Sequence, residues 1–282
     1  MIMSEILLNE LSLAGQFASL KDFTDSLKEL LKIMKYAEEK KWKVSKKSTL
    51  FQCDIMPGFP FYKIREDKSD AIRRLKSRLL QMSDTPPYWD VEKKQQGFYY
   101  LNDGTNVTDT AIAEAVAREE QVVSFLHEKY ADKLLEVTHE DETLGIASCF
   151  SLKYLVNFLY EQRIIGVHEF LKVYFKGSRL NFEKFEEEYG FQDFEKHEIE
   201  ETIEYFERFA QHESWETLMY DDVLRYKEYK PSSKKKDWFR NSDYEKVHKF
   251  RCGNPKRCFG FREGDEFFVL RMERDHSVSD HG

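Results

Sequence analysis

The chain has 282 residues, with 44 Lys and Arg against 52 Asp and Glu for a net charge of −8, and 15% of it is aromatic. Aromatic content of that size excludes a disordered chain, and the length allows one large domain or two modest ones. Only 12 Gly and 6 Pro are present, which argues against a turn-dense sandwich, barrel or propeller. No apolar run approaches the roughly 20 residues a membrane span needs, and Met1-Ile2-Met3-Ser4-Glu5 lacks the basic start of a signal peptide. The expectation is a mainly helical, cytoplasmic protein with no membrane contact.

Before Phe23, the stretch ILLNELSLAGQF reads as a strand or an extended lead-in. From Phe23 to Glu39, the residues Phe23, Leu27, Leu30, Leu31, Met34 and Ala37 recur at the spacing of one helical face. Short extended pieces follow at 42–44 and 51–55. A second helix is predicted over 68–82, with Ser69 and Asp70 as candidate caps and Pro86-Pro87 beyond its end. A strand, an Asn102-Asp103-Gly104 turn and another strand are expected over 98–107, then a helix from Thr110 to about Ala117. The segment from Val122 reads as strand or helix, and 134–138 as a strand leading to a turn at Glu140-Asp141. Helices are predicted over 151–162, 166–175 and 197–209.

Four cysteines, at 53, 149, 252 and 258, form no CxxC pair, so they read as small buried hydrophobes, with no metal site and no cofactor. Charge is distributed unevenly. Between Glu183 and Asp222 there are 15 acidic and three basic residues, and between Arg225 and Arg262 there are 13 basic and four acidic ones. After the basic break Pro231-Ser232-Ser233-Lys234-Lys235-Lys236, the segments 247–252, 257–263 and 266–273 read as three consecutive antiparallel strands. The fold class expected is α+β: a mainly helical regulatory or sensing domain over 1–222, then a small antiparallel sheet packed on helices over 223–282.

Lys249 and Arg251 share one face of the first of these strands, and Arg257, Arg262, Arg271 and His276 follow. Cations lined up on a sheet face repel one another, and a phosphate backbone relieves that repulsion. The run KFRCGNPKRCFGFREGDEFFVLRMERDH, Lys249 to His276, resembles the closing strands of the RelE, YoeB and HigB class of bacterial messenger-RNA-cleaving toxins. The resemblance covers about residues 224–282. It implies a metal-independent endoribonuclease whose partners are RNA or the ribosome. Arg257 then stabilises the transition state, His276 protonates the leaving oxygen, and Lys249, Arg251, Arg262 and Arg271 hold the substrate. A carboxylate base is also required, with Glu228 as first candidate and Glu245 as second. The opening LLNELSLAGQF resembles bacterial proteins found among phage-defence genes. The acidic helices are positioned in sequence to mask the basic sheet as an antitoxin masks its toxin. The alternative reading is a non-enzymatic subunit that grips nucleic acid or a phage protein.

Overall fold

The computed structural model describes residues 3–66, 85–231, 237–240, 242–244 and 246–275, and it divides into two compact units, 1–164 and 165–282. In the first unit, β1 (Glu5–Asn9) leads through α1 (Leu20–Glu39) to β2 (Lys43–Ser45), and the small hairpin β3 (Asp54–Met56) and β4 (Phe59–Pro60) follows. Then come β5 (Tyr99–Leu101), α2 (Ala111–Arg118), β6 (Gln121–Ser124), β7 (Lys133–His139), β8 (Glu142–Cys149) and α3 (Leu152–Glu161). The large sheet has the order β2-β1-β6-β8-β7-β5, in which β2, β1, β6 and β8 are parallel, β7 is antiparallel to β8, and β5 is antiparallel to β7.

All five residues of β1 are buried, as expected for a central strand of a parallel sheet covered on both faces. Helix α1 is capped by the Ser19 side chain, which accepts from the Asp22 amide, and it buries Phe23, Leu27, Leu30, Ile33 and Ala37. The expected helices at 23–39 and 110–117 are present. The one at 68–82 lies outside the described residues. The 105–107 segment forms only a bridge between Tyr100 and Asn106.

This sheet corrects the expected fold class. The first unit is not mainly helical: the protein is α/β, with a six-stranded mixed sheet at its start. Two features mislead the sequence reading. Parallel strands joined through helices need few tight turns, and several left-handed backbone positions of the kind that favours Gly are occupied here by other residues, among them Lys41, Asp109, Glu119, Asp132 and Glu140.

The second unit contains α4 (Val167–Tyr174), β9 (Leu180–Asn181), α5 (Lys196–Gln211), α6 (Trp215–Met219), β10 (Lys227–Glu228), β11 (His248–Arg251), β12 (Arg257–Glu263) and β13 (Glu266–Glu273). Its sheet has the order β10-β11-β12-β13-β9, antiparallel except where β9 runs parallel to β13. The three closing strands lie where the sequence predicts them. The expected boundary at 222 falls inside this unit, because β9 and α5 belong to the same sheet and core as those strands. Phe206 and Phe209 of α5 pack on Phe250, and Phe209 also packs on Phe267.

The β12–β13 register shifts between Phe259 and Gly260. At Gly260 an added Cβ would lie 2.1 Å from the Phe268 carbonyl oxygen and 2.7 Å from the Phe267 ring, so only Gly admits this approach. Gly260→Ala is expected to destabilise the second unit by about 3 kcal/mol. Gly166→Ala, whose Cβ meets nothing within 4 Å, is expected to change stability by no more than about 1 kcal/mol. Urea unfolding of the two variants checks the difference.

Candidate nucleic-acid interface

In an antiparallel ladder, directly opposed residues point to the same face and neighbours alternate. The pairs Lys227↔Lys249, Lys249↔Phe259, Arg251↔Arg257, Phe259↔Arg271 and Arg257↔Glu273 therefore define one face, here called the basic face. The pairs Glu228↔His248, His248↔Gly260, Phe250↔Cys258, Cys258↔Met272 and Arg262↔Phe267 define the other, on which α5 packs.

The predicted site is thus divided. Arg257, Lys249, Arg251 and Arg271 lie on the basic face, whereas Glu228 and Arg262 lie on the helix-covered one. His276 and Glu245 lie outside the described residues.

Arg257 is only 8% exposed. Its Nη1 donates to the carbonyls of Pro255 and Lys256, at 2.8 and 2.7 Å, closing the turn before β12. Burial holds its guanidinium below the ordinary arginine value, and Arg251 and Arg225 add to that shift, while Cys252 and Glu273 oppose it. Arg225 is brought in because the Arg251 amide donates to the Leu224 carbonyl at 2.7 Å. Arg251 and the buried Glu273 are thus the cross-strand neighbours of Arg257. Lys249 is buried, with its ammonium 5.9 Å from the centre of the Tyr229 ring.

Arg271 has a different environment from the one expected of a substrate holder. Its guanidinium lies 4.3 Å from the centre of the Tyr189 ring, 4.6 Å from Phe239 and 5.4 Å from Trp238, and it pairs with Glu186 at 2.8 Å. Its Nη1 also donates to the Trp238 carbonyl at 2.6 Å. Arg271 pins the 238–239 segment onto the sheet. A polar cleft of about 470 Å³ opens beside it, lined by Trp238, Glu188, Asp193, Glu273, Arg274 and Asp275 among others.

Acidic residues of the 183–222 segment do meet nearby cations, though at the ends of the strands. Glu201 pairs with the buried Lys256, and Glu198 pairs with Arg274 at 2.9 Å. Helix α5 itself packs through its phenylalanines on the face opposite Lys249 and Arg257. It does not cover the basic face. On that face Tyr229 and Phe239 pack on Phe259.

Sequence reasoning missed His248, which stacks on Tyr226 with ring centres 5.2 Å apart and planes 7° apart. It stands directly across from Glu228. Burial holds its imidazole below the ordinary value, as do Lys246 and Arg262, while Glu228 opposes them. Arg262 lies 4.2 Å from the centre of the Trp215 ring, and its Nε donates to the Gly264 carbonyl at 2.9 Å. The signal missed was strand register, since Glu228 and His248 are distant in sequence.

Buried polar residues also gather at the C-terminal ends of the parallel strands of the first unit. Asn9 Nδ2 donates to Ser124 Oγ at 2.9 Å, and Ser124 Oγ meets Ser148 Oγ at 2.7 Å. The buried Glu10 carboxylate accepts from the Ala111 amide at the start of α2, and Lys47 lies 3.5 Å from it. These groups satisfy one another, so they lock β1 to β6, β8 and α2.

Against protein-family models, curated proteins and solved structures, the chain matches none.

Burial raises the Glu10 carboxyl above the ordinary range, against the opposing hydrogen bonds and Lys47. A carboxyl raised in the folded state favours folding most at low pH, and that contribution is lost as pH rises through its folded value. Glu10→Gln is therefore expected to remove part of the decline in stability as pH rises above the ordinary carboxylate range, read as the difference between wild-type and variant urea midpoints.

Proposed function

We propose that the second unit binds RNA and cleaves it without a metal, in a bacterial toxin or phage-defence protein acting in the cytoplasm. The observation that carries this reading is the pairing of Arg251 with Arg257 across β11 and β12 on the basic face, with Glu273 as the facing carboxylate. Guanidiniums held together in this way repel one another, and a phosphodiester relieves the repulsion while its negative oxygens are held. Holding that backbone positions the strand for cleavage by a 2′-hydroxyl. The resemblance to the RelE, YoeB and HigB class adds support from the same strands and the same Arg257.

Masking takes a more local form in this reading. Glu186, Glu198 and Glu201 neutralise Arg271, Arg274 and Lys256 around the rim, leaving the half-buried Arg251 to the substrate. A second reading, a non-enzymatic subunit gripping nucleic acid or a phage protein, draws on the fixed state of Arg257, whose Nη1 is committed to its own turn.

Arg251→Gln tests the proposal with little risk to the fold, because the side chain is only half-buried. The variant should bind a single-stranded oligoribonucleotide more weakly. The slope of log affinity against log salt should fall by about 0.7 for each lost phosphate contact. Growth arrest on induction in a bacterium should weaken in parallel. Unchanged affinity and salt slope would remove RNA from the reading. Weakened binding with no growth arrest or message cleavage by wild type would leave the subunit reading in its place.

A further inference from the structure

We infer that His248 is the general base of an RNA-cleaving site on the helix-covered face, with Arg262 holding the scissile phosphate and Glu228 stabilising the imidazolium that forms. The inference rests on the RNA-cleavage reading above and supplies the proton acceptor that the basic face lacks among its described imidazoles.

Three observations converge on these residues. First, register puts Glu228 directly opposite His248, at the roughly 5 Å side-chain spacing of a cross-strand pair. Across the other edge, His248 faces Gly260, beside which the Phe267 ring packs. Arg262, two residues on, points to the same face.

Second, His248 is half-exposed, yet its Nδ1 is sealed from solvent and has no hydrogen-bond partner. A buried polar atom left unpaired is costly and calls for an explanation. With Nδ1 sealed, exchange with a ligand falls to Nε2. The parallel stack on Tyr226 fixes the ring plane.

Third, the charges facing the ring suit a base. Burial, then Lys246 and Arg262, favour the neutral imidazole, while Glu228, itself paired with Lys230 at 3.5 Å, stabilises the cation that forms when a proton arrives. Tyr226 is pushed up to about 12 by burial and stays neutral, so it supplies a surface for stacking and no competing charge.

The two faces can serve one RNA strand because β10 is the edge of the sheet. Lys227 and Glu228 are its two residues and point to opposite faces. A backbone held by Arg251 passes over this edge to reach His248.

In the step itself, Nε2 of neutral His248 takes the proton of the 2′-hydroxyl. The 2′-oxygen forms a bond to phosphorus, and the bond from phosphorus to the 5′-oxygen breaks. Water protonates the departing 5′-oxygen, and the hydroxide left accepts the proton from the imidazolium. The products are a 2′,3′-cyclic phosphate and a 5′-hydroxyl.

The test measures cleavage of an end-labelled single-stranded oligoribonucleotide, naked and on ribosomes, by the full chain and its His248→Gln and Glu228→Gln variants. His248→Gln should lose at least about 100-fold in rate, with RNA affinity and thermal midpoint unchanged. Wild-type rate should rise with pH through the imidazole range to a plateau. Glu228→Gln should move that rise to lower pH, a shift that a merely structural carboxylate would not produce. If His248→Gln cleaves as wild type does, the inference is overturned while the RNA-cleavage reading stands. If wild type cleaves neither substrate, both are overturned. If His248→Gln does not fold, the pH shift in Glu228→Gln decides, and an unmoved profile overturns the inference.

Discussion

The register of the β11–β12–β13 ladder is the constraint on which the second unit depends. In an antiparallel sheet a slip of one residue exchanges the faces of a whole strand. Here the register sets Arg251 opposite Arg257 and His248 opposite Gly260. Phe250 and Phe267 then bury against α5, while the side chains of Lys249 and Arg257 point away from it. Apolar burial fixes the register, since turning Phe250 and Phe267 outward would lose roughly 1.5–3 kcal/mol for each side chain. The positions of the charged groups follow from the phenylalanines.

Much of the local structure was legible from spacing. The stripe from Phe23 to Ala37 specifies α1, and the three closing strands are marked by their turns at Gly253-Asn254-Pro255-Lys256 and Glu263-Gly264-Asp265. The parallel sheet of the first unit was not. Strand β8 is exposed over its first four residues and buried over its last four, so it shows neither alternation nor a continuous apolar run. The β1 segment reads equally as a lead-in until β6 is known to lie beside it. Few glycines suggested few turns, yet Glu119 and Glu140 adopt left-handed conformations at a helix end and a hairpin.

The candidate site was legible as chemistry and illegible as geometry. A concentration of arginine in the closing strands points toward an anion, and Arg251 and Arg257 are directly opposed in the ladder. Alternation along the strands was known, but pairing between them was not. Glu228 and Arg262 therefore could not be assigned to the face opposite Arg257. Arg271 looked equivalent to its neighbours in sequence, but three aromatic rings and Glu186 enclose it. His248 carried no sequence mark at all. Its interest arises only from the carboxylate, the tyrosine and the arginine that folding places around it.

The central claim is that RNA lies along this sheet and crosses its edge at β10. Photocrosslinking of a 4-thiouridine-containing RNA to the full chain, with the modified residues mapped by mass spectrometry, tests it most directly. The account predicts adducts in 225–229 and 248–262, with residues of both faces represented. Adducts confined to the first unit, or none in the second, would contradict it.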